Sequence, residues 1–473
     1  MGLRGGLYWL RVQLMCPPRP AAPDGTGASI SGMQDTNWLV DPARRVQGTG
    51  NLGEVTPDDR TVLRGLGGRL AELATLRVQE ATAANWRALN GLRSVKPMVW
   101  IDEVPWHEMD VDGQLRLEST SEWARYHEQE IRRLIYQWDH MPADMVLEPA
   151  VYSPLVVHNT AFGLTEDVEV AITDAASSIV SRHFNVQIRD EDDLEKIKIP
   201  VVSHDQAASQ DQYRQLAEVM DGVIDVKYRG ANGFCFWFAP WDEMVRWWGP
   251  QELLRDLVDR PELVHHAIDK LTDAYLAMLD QFEALELLTL NNTYYRIGSG
   301  GLGYTDELPP ADFDPLHVRA KDLWGCAAAQ IFAVTSPRMH WEFATQYEFR
   351  WMSRFGLNYY GCCDPLHRKM SVLERIPRLR KVSMNYAVNV DEAVANVGSR
   401  WVFSYKPNPA VFAEDRWDVG KARDELETVL AKAKVHGCVI EVIMKDISTV
   451  RYQPQRLWEW ARMAAEVTAE YAP

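Results

Sequence analysis

The sequence is short of cysteine, of positive charge and of long apolar runs, and each shortage excludes a class of protein. Six cysteines in 473 residues are too few for a disulfide framework. No apolar stretch of about 18 residues occurs, so a transmembrane helix is not expected. Lysine and arginine total 50 against 67 acidic residues, a formal charge of -17. This balance disfavours nucleic acid and anionic membranes as partners.

Apolar and charged residues, by contrast, occur in the proportions of a globular protein. Hydrophobic residues make up 46% of the chain and charged residues 25%, which is enough to bury a large core. The composition therefore predicts a cytoplasmic enzyme that acts on a small molecule.

The first 32 residues differ from the rest of the chain. A short apolar segment is interrupted by Arg11, and four prolines follow within residues 17–23. A signal peptide needs a longer uncharged centre and a small-residue cleavage site, so none is predicted. We expect residues 1–32 to be a disordered extension or to precede a true start at Met33.

Residues 33–96 are predicted to form a helical lead-in, because leucines recur at helical spacing within 57–95. Short apolar segments then alternate with amphipathic ones. The strand candidates are 98–101, 145–147, 222–226, 234–238, 287–290, 331–334, 357–361, 381–384, 401–405 and 438–444. The helix candidates are 259–282, 341–355, a segment near 391, 418–434 and a segment from 455. The alternation predicts parallel strands joined by crossover helices.

About eight strand–helix units favour one architecture within the α/β class, a closed (β/α)8 barrel of the TIM type formed by residues 97–473. The central helix has the clearest start. Asp259 is expected to cap it, with Pro261 in its first turn and Glu262 three residues after the cap.

A resemblance to a known superfamily rests on the segment 248–265, W-G-P-Q-E-L-L-R-D-L-V-D-R-P-E-L-V-H. It resembles a signature of uroporphyrinogen-decarboxylase-like proteins, in which D-x-P-E-L-V opens a helix, and the order of elements from about 97 to 465 agrees with that resemblance. The superfamily includes porphyrinogen decarboxylases and zinc-dependent methyltransferases that act with corrinoid proteins or cobalamin. The resemblance implies a barrel and, because the signature is structural, leaves the reaction open.

The first strand argues against the decarboxylase branch. Those proteins carry an M-R-Q-A-G-R segment that binds substrate carboxylates, whereas residues 99–107 here read V-W-I-D-E-V-P-W-H. Asp102 and Glu103 stand where the resemblance requires cations, and arginine clamps for carboxylates are absent from the segment. Porphyrinogen decarboxylation is therefore disfavoured.

The methyltransferase branch places zinc ligands at the ends of barrel strands, in an H-x-C-G motif and a second, later cysteine. Residues 359–365 here read Y-Y-G-C-C-D-P, so Cys362 and Cys363 are present and the histidine is not. The ligands expected to complete a zinc site are His340 and Glu342. The G-C-C-D-P-L sequence, with the K-D-x-x-T ending of the last strand, resembles a subgroup of this superfamily.

Other polar residues follow predicted strands and are candidates for chemistry. Lys445 and Asp446, with Asp102 and Glu103, are predicted to be catalytic, as acid, base or positioning groups. The predicted substrate-binding residues are His107, Asn291, Tyr294 and Lys406. Each of them has the alternative of a purely structural role.

Three functions remain open from the sequence. The leading hypothesis is a metal-dependent methyltransferase that acts with a corrinoid protein or cobalamin on a small methylated substrate or a thiol acceptor, and a homodimer is expected by analogy. The first alternative is a lyase or decarboxylase on a non-porphyrin substrate, which needs the acids rather than the cysteines. The second is a barrel that binds a ligand without catalysis.

Overall fold

A computed structural model of the protein describes residues 54–171, 181–230 and 236–473. The predictions for residues 1–32, for 33–53 of the lead-in and for the start of the 234–238 strand lie outside these ranges. The helices are α1 Pro57–Ala74, α2 Arg77–Asn90, α3 Glu122–His140, α4 Gln206–Met220, α5 Pro240–Trp248, α6 Pro250–Asp259, α7 Pro261–Ala284, α8 Pro337–His340, α9 Gln346–Met352, α10 Met370–Leu373, α11 Val390–Val397, α12 Val419–Val435 and α13 Gln455–Glu470.

The strands are β1 Met98–Ile101, β2 Ala150–Pro154, β3 Val157–Asn159, β4 Val168–Ala171, β5 Ser181–Phe184, β6 Val202–His204, β7 Asp225–Arg229, β8 Phe236–Phe238, β9 Trp324–Ala327, β10 Leu357–Tyr360, β11 Leu379–Asn385, β12 Val402–Lys406 and β13 Val439–Met444. Among the described residues, seven of them form one parallel sheet in the order β1-β13-β12-β11-β10-β9-β8. The α/β class is confirmed. This pairing shows a sheet but not its closure into a barrel.

Three further pairs lie outside the large sheet. β2 pairs with β7 in parallel, while β3–β6 and β4–β5 are antiparallel. In the large sheet, the first strand of the chain pairs with the last along its whole length, from Met98 opposite Glu441 to Ile101 opposite Met444. The segments after β1 and β13 therefore leave the sheet side by side.

Several predicted elements are confirmed and others are displaced. The strands predicted at 98–101, 357–361, 381–384, 401–405 and 438–444 are present within one or two residues, and so are the helices at 418–434 and from 455. The run predicted as a strand at 331–334 is instead a 3-10 helix, Gln330–Val334, and the strand lies earlier, at β9. A short apolar run does not distinguish these two structures by periodicity alone. No strand is assigned at 145–147 or 287–290, both of which the structure describes.

Two of the predicted helical segments, the lead-in and the central helix, begin differently from the prediction. The lead-in is two helices, α1 and α2, and α1 begins with a capping box formed by Thr56 and Asp59. The prediction that Asp259 caps α7 is wrong. Asp259 is the last residue of α6, and the residue before α7 is Arg260, whose side chain makes no capping hydrogen bond. The apolar stripe predicted for this helix is buried, from Val264 to Phe282.

The glycine-rich loop 298–303 presses against the core beside α2 and β10. A Cβ built on Gly301 would lie 2.3 Å from the ring of Trp86, which is buried. The loop reads G-S-G-G-L-G, yet within the described residues no helix begins directly after it, as a phosphate-binding loop requires. Gly298, Gly300 and Gly301 allow the backbone to pack closely against aromatic rings.

We expect Gly301→Ala to destabilise the protein by about 1–3 kcal/mol, because Trp86 has no room to retreat in a packed core. The matched control is Gly65→Ala within α1, where nothing lies within 4 Å of the added Cβ. That change should stabilise the protein by about 0.5–1 kcal/mol through helix propensity. Urea unfolding of both variants measures the difference, and equal midpoints would contradict the packing assignment.

Among the described residues, no helix is long and apolar enough to cross a bilayer.

Candidate active site at the carboxyl ends of the strands

The polar residues that follow β1, β10, β12 and β13 meet at one edge of the parallel sheet. Neighbouring parallel strands end at the same edge, which is where side chains from distant parts of the sequence can converge. The residues brought together here are Asp102, Glu103, Cys362, Cys363, Lys406, Lys445 and Asp446. All seven were predicted as site residues from the sequence.

Two neighbouring thiols lie at the centre of this cluster. The Sγ atoms of Cys362 and Cys363 are 3.5 Å apart. The Nζ atom of Lys445 lies 3.5 Å from the first sulfur and 3.4 Å from the second. Cys363 also donates a hydrogen bond of 2.7 Å to Oδ2 of Asp446. One ammonium group thus contacts both sulfurs and, at 3.0 Å, the carboxylate beside them.

The turn that carries the thiols has a local reason in the sequence. Gly361 has a φ of +92°, and a Cβ there would lie 2.5 Å from Leu366, so glycine is required. The amide of Cys362 donates to Oδ1 of Asp364 at 3.0 Å. The carbonyls of both cysteines accept hydrogen bonds from side chains of β11. Strand β10 therefore ends in a turn that holds both sulfurs in one orientation.

The two thiols differ in acidity. Contact with the Cys363 thiol, whose sulfur lies 3.5 Å away, lowers the pKa of Cys362 to about 6, helped by the ammonium of Lys445 and opposed by burial. The same contact, burial and the negative charge of Asp446 raise the pKa of Cys363 well above the usual thiol range. Because the two pKa shifts have opposite directions, Cys362 is the thiol of the pair that ionises first.

Two acids from opposite ends of the chain bracket Lys445. Glu103 and Asp446 both have positive φ angles, 51° and 57°, a strained conformation for residues other than glycine. The amide of Asp446 donates to Oε2 of Glu103 at 3.0 Å, and Lys445 lies 3.5 Å from Oε1. Such strain is found where a side chain must be aimed at a fixed point.

The two carboxyl groups titrate in opposite directions. Burial raises the pKa of Glu103 to about 8, against the opposing charge of Lys445. Burial also acts on Asp446, but there the ammonium of Lys445 prevails and lowers the pKa to about 2. The site therefore contains a carboxyl group that can hold a proton at neutral pH and a carboxylate that cannot.

Sequence reasoning missed Arg296, which supplies a positive charge to the first strand. Its buried guanidinium forms ion pairs with Asp102 and, at 3.4 Å, with Glu103. This contact partly neutralises the charges of the two acids that follow β1. Nothing in the local sequence marks Arg296, since its partners lie some 190 positions earlier.

Lys406 points into the interior. Its Nζ atom donates to the hydroxyl of Tyr359 and, at 2.9 Å, to Oγ of Ser404. Burial lowers the pKa of Lys406 to about 7. Its contacts in this structure are thus protein groups beneath the thiols, and a substrate anion would have to displace them.

The other predicted substrate-binding residues are not brought together. Asn291 is buried, and its side chain both donates to the carbonyl of Trp324 and accepts from the amide of the same residue. Both ends of the Asn291 amide therefore brace β9 in this structure. Tyr294 stacks on Tyr152 with ring centroids 5.2 Å apart. His107 lies against Tyr452, with ring centroids 6.2 Å apart.

The predicted zinc ligands beyond the cysteines lie in other surroundings. His340 is fully buried, with Nε2 at 2.7 Å from the hydroxyl of Tyr360, which donates to Glu348 at 2.7 Å. Burial lowers the pKa of His340 to about 3. Glu342 is partly exposed on the following π-helical turn, 3.5 Å from Arg338. The four predicted ligands are therefore not assembled.

Within the described residues, no group of three or more histidine, cysteine, aspartate or glutamate side chains has a geometry that could hold a metal ion. A structural or catalytic zinc site needs three or four protein ligands. The residues present thus do not fit the predicted zinc site in this arrangement.

Sequence reasoning also missed Glu108, Asp242 and Asp364. Glu108 accepts hydrogen bonds from Thr449, Val450 and the amide of Tyr452, and so fixes the loop after β13. Burial raises the pKa of Asp242 to about 7, and the negative charge of Cys362 adds to the effect. Asp364 was visible in the sequence as the neighbour of the two cysteines, but the hydrogen bond that gives it a role requires the folded turn.

The arrangement supports thiolate chemistry. A thiolate is the nucleophilic form of cysteine, and a neighbouring ammonium keeps it ionised at neutral pH. Glu103 can supply a proton, while Asp446 and Lys445 remain a fixed ion pair. Cys363 and Asp446 are partly exposed to solvent, whereas Cys362 is buried directly beside them.

No protein-family model and no curated protein matches the sequence. Among solved structures, the chain is similar to a methyltransferase from Methanosarcina mazei, with 10% sequence identity and a TM-score of 0.47. The similarity covers 82% of this chain and 98% of that chain. A likeness this distant assigns neither a family nor an activity, and the geometry of the site remains the basis for its chemistry.

Proposed function

We propose that the protein is an enzyme in which the Cys362 thiolate is the nucleophile, and that its reaction is the transfer of a methyl group. One observation carries the proposal. The Nζ atom of Lys445 lies 3.5 Å from Sγ of Cys362 at the carboxyl edge of a parallel sheet, where enzymes of this architecture place their reacting groups. We also infer that this sheet belongs to a (β/α)8 barrel, because β1 and β13, the first and last of its strands along the chain, are neighbours in it, as they are in a closed ring of parallel strands.

Each residue has a defined part in the proposed step. The Cys362 sulfur attacks a methyl carbon, a carbon–sulfur bond forms, and the leaving group departs with the electron pair of the broken bond. Cys363 and Lys445 contact the sulfur and favour its ionised form before the attack, while the Cys363 proton is donated to Asp446. Glu103 can donate a proton to the leaving group when that group is basic.

The proposed methyl donor is a corrinoid, either free cobalamin or a corrinoid on a partner protein. A cobalt-bound methyl group is an electrophilic carbon of the kind that thiolates accept. The chain's own residues would then bind the donor and exclude water around Cys362. No part of the proposed step depends on zinc, because His340 and Glu342 lie away from the sulfurs.

The test is to incubate the reduced protein with methylcobalamin and follow both loss of the cobalt–carbon bond and the mass of the chain. We expect Cys362 to gain one methyl group in place of its hydrogen, or to pass it to an added thiol. Cys362→Ser should abolish the reaction, whereas Cys363→Ser should slow it and Cys438→Ser should leave it unchanged. Reaction at full rate in Cys362→Ser would refute the proposal. Elemental analysis of the same samples determines whether metal accompanies activity.

A second function is favoured by a specific observation, the position of Glu103 between Arg296 and Lys445. A carboxyl group that can hold a proton beside two cations suits a lyase or decarboxylase acting on a small carboxylate that is not a porphyrin. Such an enzyme would keep its activity in the Cys362→Ser variant and lose it in the Glu103→Gln variant. A barrel that only binds a ligand would show turnover in neither the wild type nor the variants.

A further inference from the structure

The two neighbouring thiols have the geometry of a chelating pair. Their sulfurs are 3.5 Å apart. With bonds of about 2.3 Å, as for zinc and thiolate sulfur, that separation gives an angle of roughly 100° at a shared atom. An angle narrower than tetrahedral is typical of pyramidal, three-coordinate atoms. Trivalent arsenic is such an atom and bonds readily to sulfur.

The surroundings favour an element that needs only two protein ligands. The structure brings no third histidine, cysteine or carboxylate into metal-binding geometry with the sulfurs, within the residues it describes. The nearest neighbours are the ammonium of Lys445 and Asp446, which are already paired with each other at 3.0 Å. A trivalent arsenical fits this set, because it takes two sulfurs and keeps one substituent of its own.

We propose that Cys362 and Cys363 together chelate a trivalent arsenical, either arsenous acid or an organoarsenous acid. The proposal uses the same thiols as the proposed function but does not depend on methyl transfer. Chelation requires both sulfurs, whereas the methyl-transfer step requires only Cys362.

The chemistry balances without an oxidant. An organoarsenous acid carries two hydroxyl groups on arsenic. The Cys362 thiolate displaces the first as hydroxide, which takes a proton from solvent. Cys363 displaces the second, and its own proton leaves with that hydroxide as water. Two arsenic–oxygen bonds are replaced by two arsenic–sulfur bonds, two water molecules form, and the oxidation state of arsenic does not change.

Charge and access also suit this ligand. Arsenous acids are uncharged at neutral pH, and the charges around the sulfurs are paired within the site. Cys363 is partly exposed, and the Asp446 side chain beside it is 40% exposed. The arsenical therefore contacts the partly exposed Cys363 first and then the buried Cys362 beside it.

The experiment uses phenylarsine oxide with the full-length protein after reduction by a phosphine. Intact mass spectrometry counts phenylarsenic groups per chain before and after a wash with a monothiol, and again after a dithiol. We expect one group that resists the monothiol and is released by the dithiol. Its lifetime under the monothiol should be at least about tenfold longer than in Cys362→Ser or Cys363→Ser, because the second bond forms intramolecularly.

Cys438→Ser is the matched control, since Cys438 precedes β13 and its sulfur contacts the carbonyl of Val394 instead. It should retain the group as the wild type does. Release from the wild type as fast as from the single-cysteine variants would overturn the proposal, and so would full retention in Cys363→Ser. If the arsenical is retained and methylcobalamin does not react, only the methyl-transfer proposal fails.

Discussion

Replacing Lys445 with methionine will move the reactivity of Cys362 to higher pH and slow its alkylation at pH 7 by roughly tenfold or more. The wild-type thiol has a pKa of about 6, so it is mostly ionised at pH 7. Loss of the ammonium removes a charge that lies 3.5 Å from the sulfur. The pKa of Cys362 must then rise toward the usual thiol range, and the ionised fraction at pH 7 falls.

The measurement is the rate of iodoacetamide alkylation of the Cys362 peptide between pH 5 and pH 9, read by mass spectrometry. Lys445→Arg is the control, because it keeps the charge while changing the shape of the group. A pH profile that is identical in wild type and a folded Lys445→Met variant would show that the ammonium does not set the thiol's acidity. Circular dichroism establishes that each variant is folded before the rates are compared.

The second large effect concerns the buried ion pair beneath the site. Lys381 on β11 and Glu441 on β13 lie 2.8 Å apart with both side chains at 0% exposure. The Lys381 ammonium also lies 5.6 Å and 5.7 Å from the ring centres of Trp86 and Trp324. Lys381→Met removes the ammonium that is paired with buried Glu441, leaves only part of that charge offset by Lys406, and should cost about 3–5 kcal/mol of unfolding free energy.

Urea unfolding followed by tryptophan fluorescence measures this cost. The double variant Lys381→Met, Glu441→Gln should recover most of it, because it removes the orphaned charge as well. The surface pair of Lys432 and Asp391, 2.9 Å apart, is the control, and Lys432→Met should cost less than about 1 kcal/mol. A double variant no more stable than Lys381→Met would contradict the electrostatic explanation.

The α/β class and most of the later strands could be predicted because each strand is a short apolar run followed by an amphipathic helix. The prediction was wrong where that pattern was weak. β9 reads W-G-C-A, with small residues that favour no particular structure, and Gly325 is needed there because the ring of Phe355 lies where a Cβ would stand. The apolar run after it, I-F-A-V, predicts a strand but forms a 3-10 helix.

The thiols, Lys445 and the acids could be predicted because each follows an apolar run in the sequence. The rest of the site depends on contacts that no local pattern encodes. Arg296 forms an ion pair with Glu103, which is far from it in the sequence. Asn291 follows an apolar run, as a binding residue would, but both ends of its amide form hydrogen bonds with Trp324. The position of His340 along the chain, after an apolar run, predicts a metal ligand. In the structure its ring instead contacts the hydroxyl of Tyr360.

The pairing of the first strand with the last has a consequence for the protein while it is being made. Glu103 and Asp446, which bracket Lys445, are 343 positions apart and join through the contact between β1 and β13. A growing chain that has already released Cys362 and Cys363 from the ribosome still lacks Lys445. The ammonium and the carboxylate that contact the two sulfurs therefore join the site only when synthesis has passed β13.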